Sequence, residues 1–137
     1  MREADDMPRT LVVMALWQGA DLNLQEWVRE GQEGLGMWGG KLKINEAPLE
    51  GVLRETKQET GLKLVADQVS ELGHFRDDGW DIYAYQASLD IDATLPNPEG
   101  RPVIMHPLDA WNDGRLMPAT RMVIKETIMI PNGLIDY

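Results

Sequence analysis

The sequence predicts an α/β (α+β) sandwich in which a mixed β-sheet packs between helices. Three observations carry this. A short run rich in branched apolar residues, LVVMALW, has the length and composition of a buried strand. Two further segments, LNLQEWV and WDIYAYQASL, alternate apolar with polar or aromatic residues at the period of a strand. Residues 47–60 place apolar side chains three and four apart, the period of a helix with one buried side.

The elements follow in order. MREADDMP is charged and ends in proline, so residues 1–9 are expected to form a loose N-terminal segment. Residues 10–17 are the buried strand, QGADLN a turn, and residues 22–28 a half-solvated strand that pairs with the first as a hairpin. REGQEGLGMWGG holds five glycines in twelve residues and reads as an irregular loop. In the helix at 47–60, Leu49, Val52, Leu53 and Thr56 form the apolar stripe. Asn45 is placed to cap its start, Pro48 sits in the first turn, and Gly61 is placed to close it in the left-handed conformation. LKLVADQVSELGHF suggests a strand interrupted by polar residues, and WDIYAYQASL the next one. DIDATLPNPEGRP is a long acidic loop. A final helix at 119–130 is bounded by Pro118 and Pro131, with Met122, Ile124 and Ile128 on its buried side. No repeat or low-complexity segment divides the chain, so its 137 residues are read as one domain.

Composition narrows the function. At 43% hydrophobic residues, the chain can bury a core of its own. Its net charge of -10 argues against a nucleic-acid polymer, which is held mainly by lysine and arginine. A small phosphorylated substrate is compatible with that charge if metal ions neutralise the carboxylates. The absence of cysteine excludes disulfides, thiolate zinc sites and cysteine nucleophiles. LVVMALW is far too short to cross a bilayer and no cleavable leader precedes it, so a cytoplasmic protein with no membrane partner is expected.

The chemistry concentrates on one helix. Glu55 and Glu59 lie one turn apart and Gln58 on the adjoining edge, so their side chains can converge. Two ionised carboxylates so close repel unless a cation sits between them, and oxygen-only ligands favour magnesium or manganese over zinc. Arg54 is no ligand, but its planar fork can hold a neighbouring carboxylate. Read on the helix alone, two accounts stay open: a metal site, or a solvated face whose glutamates pair with lysines a turn away.

The longer stretch GGKLKINEAPLEGVLRETKQETGL resembles the signature of the Nudix hydrolases. Gly40 opens it, Glu46 follows six residues on, and RETKQETGL occupies 54–62. Two positions depart from the pattern: Thr56 stands for an aliphatic residue and Gln58 for the first glutamate of a Glu-Glu pair. HPLDAW…GRLMPATRMVIKETI looks like the family's closing strand, turn and terminal helix. The resemblance implies an α/β/α sandwich and a catalytic set of Glu46, Arg54, Glu55 and Glu59. Within it, Glu55 and Glu59 are metal ligands, Glu46 is a supporting carboxylate and Arg54 fixes a glutamate in place. Gly39 and Gly40 would let the backbone bend close to the ion, Gln58 could lend its amide oxygen, and Glu99 is the candidate for a further ligand or base.

The implied cofactor is Mg2+ or Mn2+. The implied reaction is hydrolysis of a pyrophosphate in a nucleoside diphosphate linked to another group, with a nucleoside triphosphate or similar small nucleotide as substrate. Because Gln58 removes one negative charge, activity is expected to be reduced, and a second reading is a Nudix-fold module that binds nucleotide or a protein partner without hydrolysis. Arg29 is a candidate for a terminal phosphate. Trp27, Trp38, Trp80 and Tyr83 stand where a π face could stack on a base. Trp38 occupies a position where the family commonly has proline. Many relatives form homodimers, and a homodimer is compatible with the resemblance. His74 and His106 are expected to be surface or structural.

Overall fold

The computed structural model describes residues 5–136. Its centre is the strand pair β1 (Asp6–Gln18) and β6 (Trp80–Leu89), which run parallel from Thr10↔Asp81 to Gln18↔Leu89. The other pairings are antiparallel, so the seven-stranded sheet is mixed. β2 (Asp21–Arg29) returns along the end of β1 as the expected hairpin, and β4 (Trp38–Lys43) pairs with the earlier part of β1. β3 (Gln32–Gly36) and β7 (Arg101–Met105) flank β2, and β5 (Ser70–Asp77) lies outside β6.

β1 reads as an unbroken apolar run because both of its faces are covered. Val12, Met14 and Leu16 pack with Trp38, Leu42 and Val52 under helix α1 (Pro48–Thr60). Val13 and Ala15 pack on the opposite face with Leu22, Leu24 and Ile82 under α3 (Pro118–Ile124). Each fully buried leucine among these contributes about 1.5–3 kcal/mol. The result is the expected sandwich of a mixed sheet between helices.

Several boundaries differ from the sequence reading, each for a physical reason. The glycine-rich stretch at 29–40 is not a loop. It forms β3 and β4, because its glycines serve close approach rather than turning: at Gly39 an added Cβ would fall 2.1 Å from the Val12 carbonyl oxygen. Nor are residues 6–9 loose; they extend β1, with a register shift between Asp6 and Leu11. Residues 1–4 lie outside the described residues. Asn45 takes a turn conformation at φ 65 and does not cap α1. Ala47 holds that position, and Glu50 supplies the reciprocal bond by accepting the Ala47 N–H at 3.0 Å. Pro48 in the first turn and Gly61 at φ 81 close the helix as expected.

The segment at 62–75 holds a 3₁₀ turn, Ala66–Gln68, before β5 begins. HPLDAW, expected as the closing strand, is instead a short helix, α2 (Pro107–Trp111), because Pro107 suits a first helical turn and the His106 imidazole opens it by accepting the Leu108 N–H. The closing helix changes character halfway. After Ile124 it widens into a π turn, Lys125–Met129, in which the Ile130 N–H bonds the Lys125 carbonyl.

Candidate active site

α1 is held against β4 closely enough for its carboxylates to reach that strand's two glycines. Glu59 Oε1 accepts the Gly39 N–H at 2.7 Å. Gly39 has φ 154, a backbone conformation that side-chain-bearing residues rarely adopt. One residue on, a Cβ at Gly40 would fall 2.6 Å from the Glu55 carboxylate, so only glycine leaves that carboxylate its space. Glu55 and Glu59 thus project from successive turns of one helix onto one glycine pair.

Arg54 organises the other side. Its Nε donates to Glu46 Oε2 at 2.7 Å and its Nη2 to Glu46 Oε1 at 2.9 Å, a two-point grip. Nη1 reaches Glu55 Oε1 at 2.8 Å and Gln58 Oε1 at 3.3 Å, and Nη2 also bonds the Lys41 carbonyl. Glu46 in turn accepts the Lys43 N–H at 3.0 Å. The guanidinium bond holds the Glu46 carboxyl below its ordinary pKa, and the same bond raises that of Arg54. Glu46 is therefore an ionised brace that ties the turn before α1 to Arg54, and Arg54 carries that rigidity to Glu55.

Glu59 behaves oppositely. Burial pushes its pKa up to about 7, against the lowering effect of the Gly39 N–H, with Glu55 and Glu99 adding to the rise and Arg29 opposing it. A half-buried carboxylate crowded by two others is the setting in which a cation is most favoured. Among the described residues, no three acidic or histidine side chains cluster tightly enough to enclose a metal by themselves. Two carboxylates beside a pair of partly buried glycines instead fit a magnesium-like ion, which keeps several waters and takes substrate phosphate oxygens as ligands.

Beside Glu59 opens a cleft of about 650 Å³ between β2 and the segment leading into β7, lined by Gln25, Trp27, Arg29, Glu59, Glu99 and Arg101 among others. Backbone bonds strap that segment to the end of α1: Asn97 N–H to Thr60 O at 2.9 Å and Glu99 N–H to Glu59 O at 2.7 Å. Arg29 and Glu99 accordingly share one cleft with Glu59. Gln58 is turned toward Arg54.

Trp38 is corrected from its expected role in substrate binding. It is fully buried, and its indole N–H donates to Asn23 Oδ1 at 3.1 Å, so it offers no face to a ligand. Asn23 donates to Gln18, whose amide bonds the Asp90 and Ala93 carbonyls, which completes a satisfied polar chain inside the core. Trp80 lines a separate hollow with Leu11 and Met117, and Tyr83 stacks under His74 at 4.1 Å. Gln25 and Arg101 were missed as cleft residues. The alternation of β2 at 25, 27 and 29 was a usable signal for the first, whereas Arg101 arrives only through its pairing with Glu26.

A glycine-lined strand, a helix with paired glutamates and a bracing arginine define the class of protein as a mixed-sheet α/β sandwich with a helical carboxylate site. The NUDIX domain family matches residues 7–126, and the chain belongs to the Nudix family. No curated protein matches the sequence. Among solved structures, the MutT Nudix hydrolase from Burkholderia pseudomallei is similar with a TM-score of 0.68 at 20% identity, covering 90% of this chain and 99% of that one. The ORF135 protein of E. coli is similar at 0.65 and 20% identity, with 91% of each chain covered. An ADP compounds hydrolase is similar at 0.64 and 19% identity, with 95% of this chain and 77% of that one covered. At such identities these likenesses describe a shared fold.

Proposed function

We propose that the protein is a metal-dependent pyrophosphohydrolase acting on a nucleoside diphosphate linked to another moiety, most suitably a nucleoside triphosphate or similar small nucleotide. The observation that carries this reading is the Gly39–Glu59 contact with Glu55 beside it and Arg54–Glu46 behind, on a chain of the Nudix family. Glu55 and Glu59 would hold Mg2+ or Mn2+, with Glu99 the candidate for a further ligand and the Gln58 amide oxygen another if it leaves Arg54. The bound ion would supply charge neutralisation of the diphosphate and a lowered pKa for the attacking water.

The chain's own residues do the remainder. Gly39 N–H fixes one Glu59 oxygen, and Arg54 fixes one Glu55 oxygen, so neither carboxylate needs to reorganise when substrate arrives. Water attacks one phosphorus, the bond to the bridging oxygen breaks, and the proton released passes to a nearby carboxylate, for which Glu99 at the cleft is the candidate. Arg29, exposed in the same cleft, is the candidate for holding an outer phosphate.

The non-hydrolytic reading draws on Gln58, whose amide carries no charge and accepts from Arg54. Release of phosphate, pyrophosphate and nucleoside monophosphate from a nucleotide panel, with magnesium and with manganese, separates the two. The hydrolase reading expects metal-dependent turnover that Glu59→Gln abolishes. Tight nucleotide binding without metal and without turnover would establish the binder instead.

A further inference from the structure

Glu59 is tethered twice, and both tethers trace back to one buried polar chain. The sheet forks along β1, where the ladder passes from β4 at Met14↔Trp38 to β2 at Leu16↔Asn23. Among the described residues no ladder joins β2 to β4. What bridges the fork is a side-chain bond, from the Trp38 indole N–H to Asn23 Oδ1 at 3.1 Å. Asn23 Nδ2 donates onward to Gln18 Oε1 at 2.8 Å, and Gln18 Nε2 donates to the Asp90 and Ala93 carbonyls at 3.0 and 2.9 Å. All three side chains are buried. Polar groups taken into a core lose their water, and when every one finds a partner the set holds a single geometry.

The two ends of the chain meet at Glu59. At one end, the peptide joining Trp38 to Gly39 carries the N–H that holds Glu59 Oε1 at 2.7 Å. That peptide is oriented by ψ of Trp38 and φ of Gly39, and glycine constrains its own dihedral least of all residues. The aim of the N–H therefore depends on how firmly Trp38 is held. At the other end, the segment that Gln18 grips at 90 and 93 runs on to Glu99, whose N–H bonds the Glu59 carbonyl at 2.7 Å.

We propose that Trp38 and Asn23 are positioning residues of the hydrolytic centre: their bond across the fork aims the Gly39 N–H and so holds the Glu59 carboxylate ready for a divalent ion. Neither side chain lines the cleft, so both act through Gly39 alone. Support of this kind from behind a metal ligand fixes its direction before the ion arrives. The proposal rests on the hydrolase reading and deepens it, because it names what keeps the glycine pair of β4 in register with α1.

The test reads the Gly39 amide directly, by proton–nitrogen correlation spectra of metal-free protein. Glu59→Ala marks where the Gly39 signal lies once its carboxylate partner is gone. Trp38→Phe deletes the indole N–H, and Asn23→Leu replaces the amide with methyl groups of similar shape. Each should move the Gly39 signal toward the Glu59→Ala position, while the Lys43 amide, held by Glu46 on the same strand, stays in place. Manganese affinity should fall about tenfold in both variants, and kcat should fall by a similar factor with a smaller change in KM. A Gly39 signal unmoved in folded Trp38→Phe and Asn23→Leu overturns the proposal alone, as does a signal that moves while manganese affinity holds. If neither variant folds, hydrogen exchange of the natural protein decides: the Trp38 indole N–H and the Gly39 amide should show comparable protection, and a Gly39 amide that exchanges far faster overturns the proposal. Failure of the natural protein to take up manganese would instead remove the hydrolase reading, and this proposal with it.

Discussion

The Gly39 amide donates a 2.7 Å hydrogen bond to Glu59 Oε1, linking the glycine pair of β4 to the last turn of α1. This bond partly offsets the burial that raises the Glu59 pKa to about 7. A pH dependence follows. The folded carboxyl holds its proton more tightly than the unfolded one, so its contribution favours the folded state below about pH 4.5 and is lost as pH rises through 7. Metal-free protein should therefore lose melting temperature across that window, and Glu59→Gln should flatten the loss. A cation must displace the same proton, so apparent magnesium affinity should climb by up to about tenfold per pH unit below 7 and level off above it. Thermal melts in chelator and magnesium titrations at pH 5 to 8 check both signs.

Arg54→Lys removes the fork that grips both Glu46 oxygens while keeping the charge. The brace on Glu55 goes with it, since the same guanidinium holds Glu55 Oε1. Turnover should fall by about 10- to 100-fold, with a smaller change in KM. Because Arg54 links the two, Glu46→Gln combined with Arg54→Lys should cost little more than either alone, and steady-state kinetics of the three variants measure that coupling.

Gln58→Glu restores a negative charge beside two others. Its oxygen already faces Arg54 Nη1 at 3.3 Å, so the new carboxylate has a cation to receive it. Metal affinity should tighten by about tenfold, and calorimetric titration with manganese would reveal it.

Thr56 is fully buried, and its hydroxyl has no hydrogen-bond partner among the described residues. Thr56→Val keeps the shape and removes the orphaned polar group, so stability should rise by about 1 kcal/mol. A shift to higher midpoint in urea, at unchanged slope, is the expected result.

The helix and its chemistry were legible in sequence because they are local. Glu55, Glu59, Arg54 and Gly61 sit at intervals that a single helix fixes. β1 was legible as a run because both of its faces are buried. β3 and β4 were not, since glycines at 34, 36 and 39 signal a loop by composition, while here they admit a neighbouring ring, helix or strand that only the tertiary fold supplies. Trp38 misled for the same reason, because its partner Asn23 lies on another strand. The cleft is assembled from β2 and the segment before β7, some seventy residues apart, and no local pattern announces Arg101.

The central claim meets its most direct test in calorimetric titration of magnesium or manganese into the protein with a non-hydrolysable nucleotide bound. The account predicts saturable metal uptake that Glu55→Gln and Glu59→Gln each weaken severely, with nucleotide affinity falling in step. Absence of uptake by the natural protein, or uptake undiminished in both variants, would contradict it.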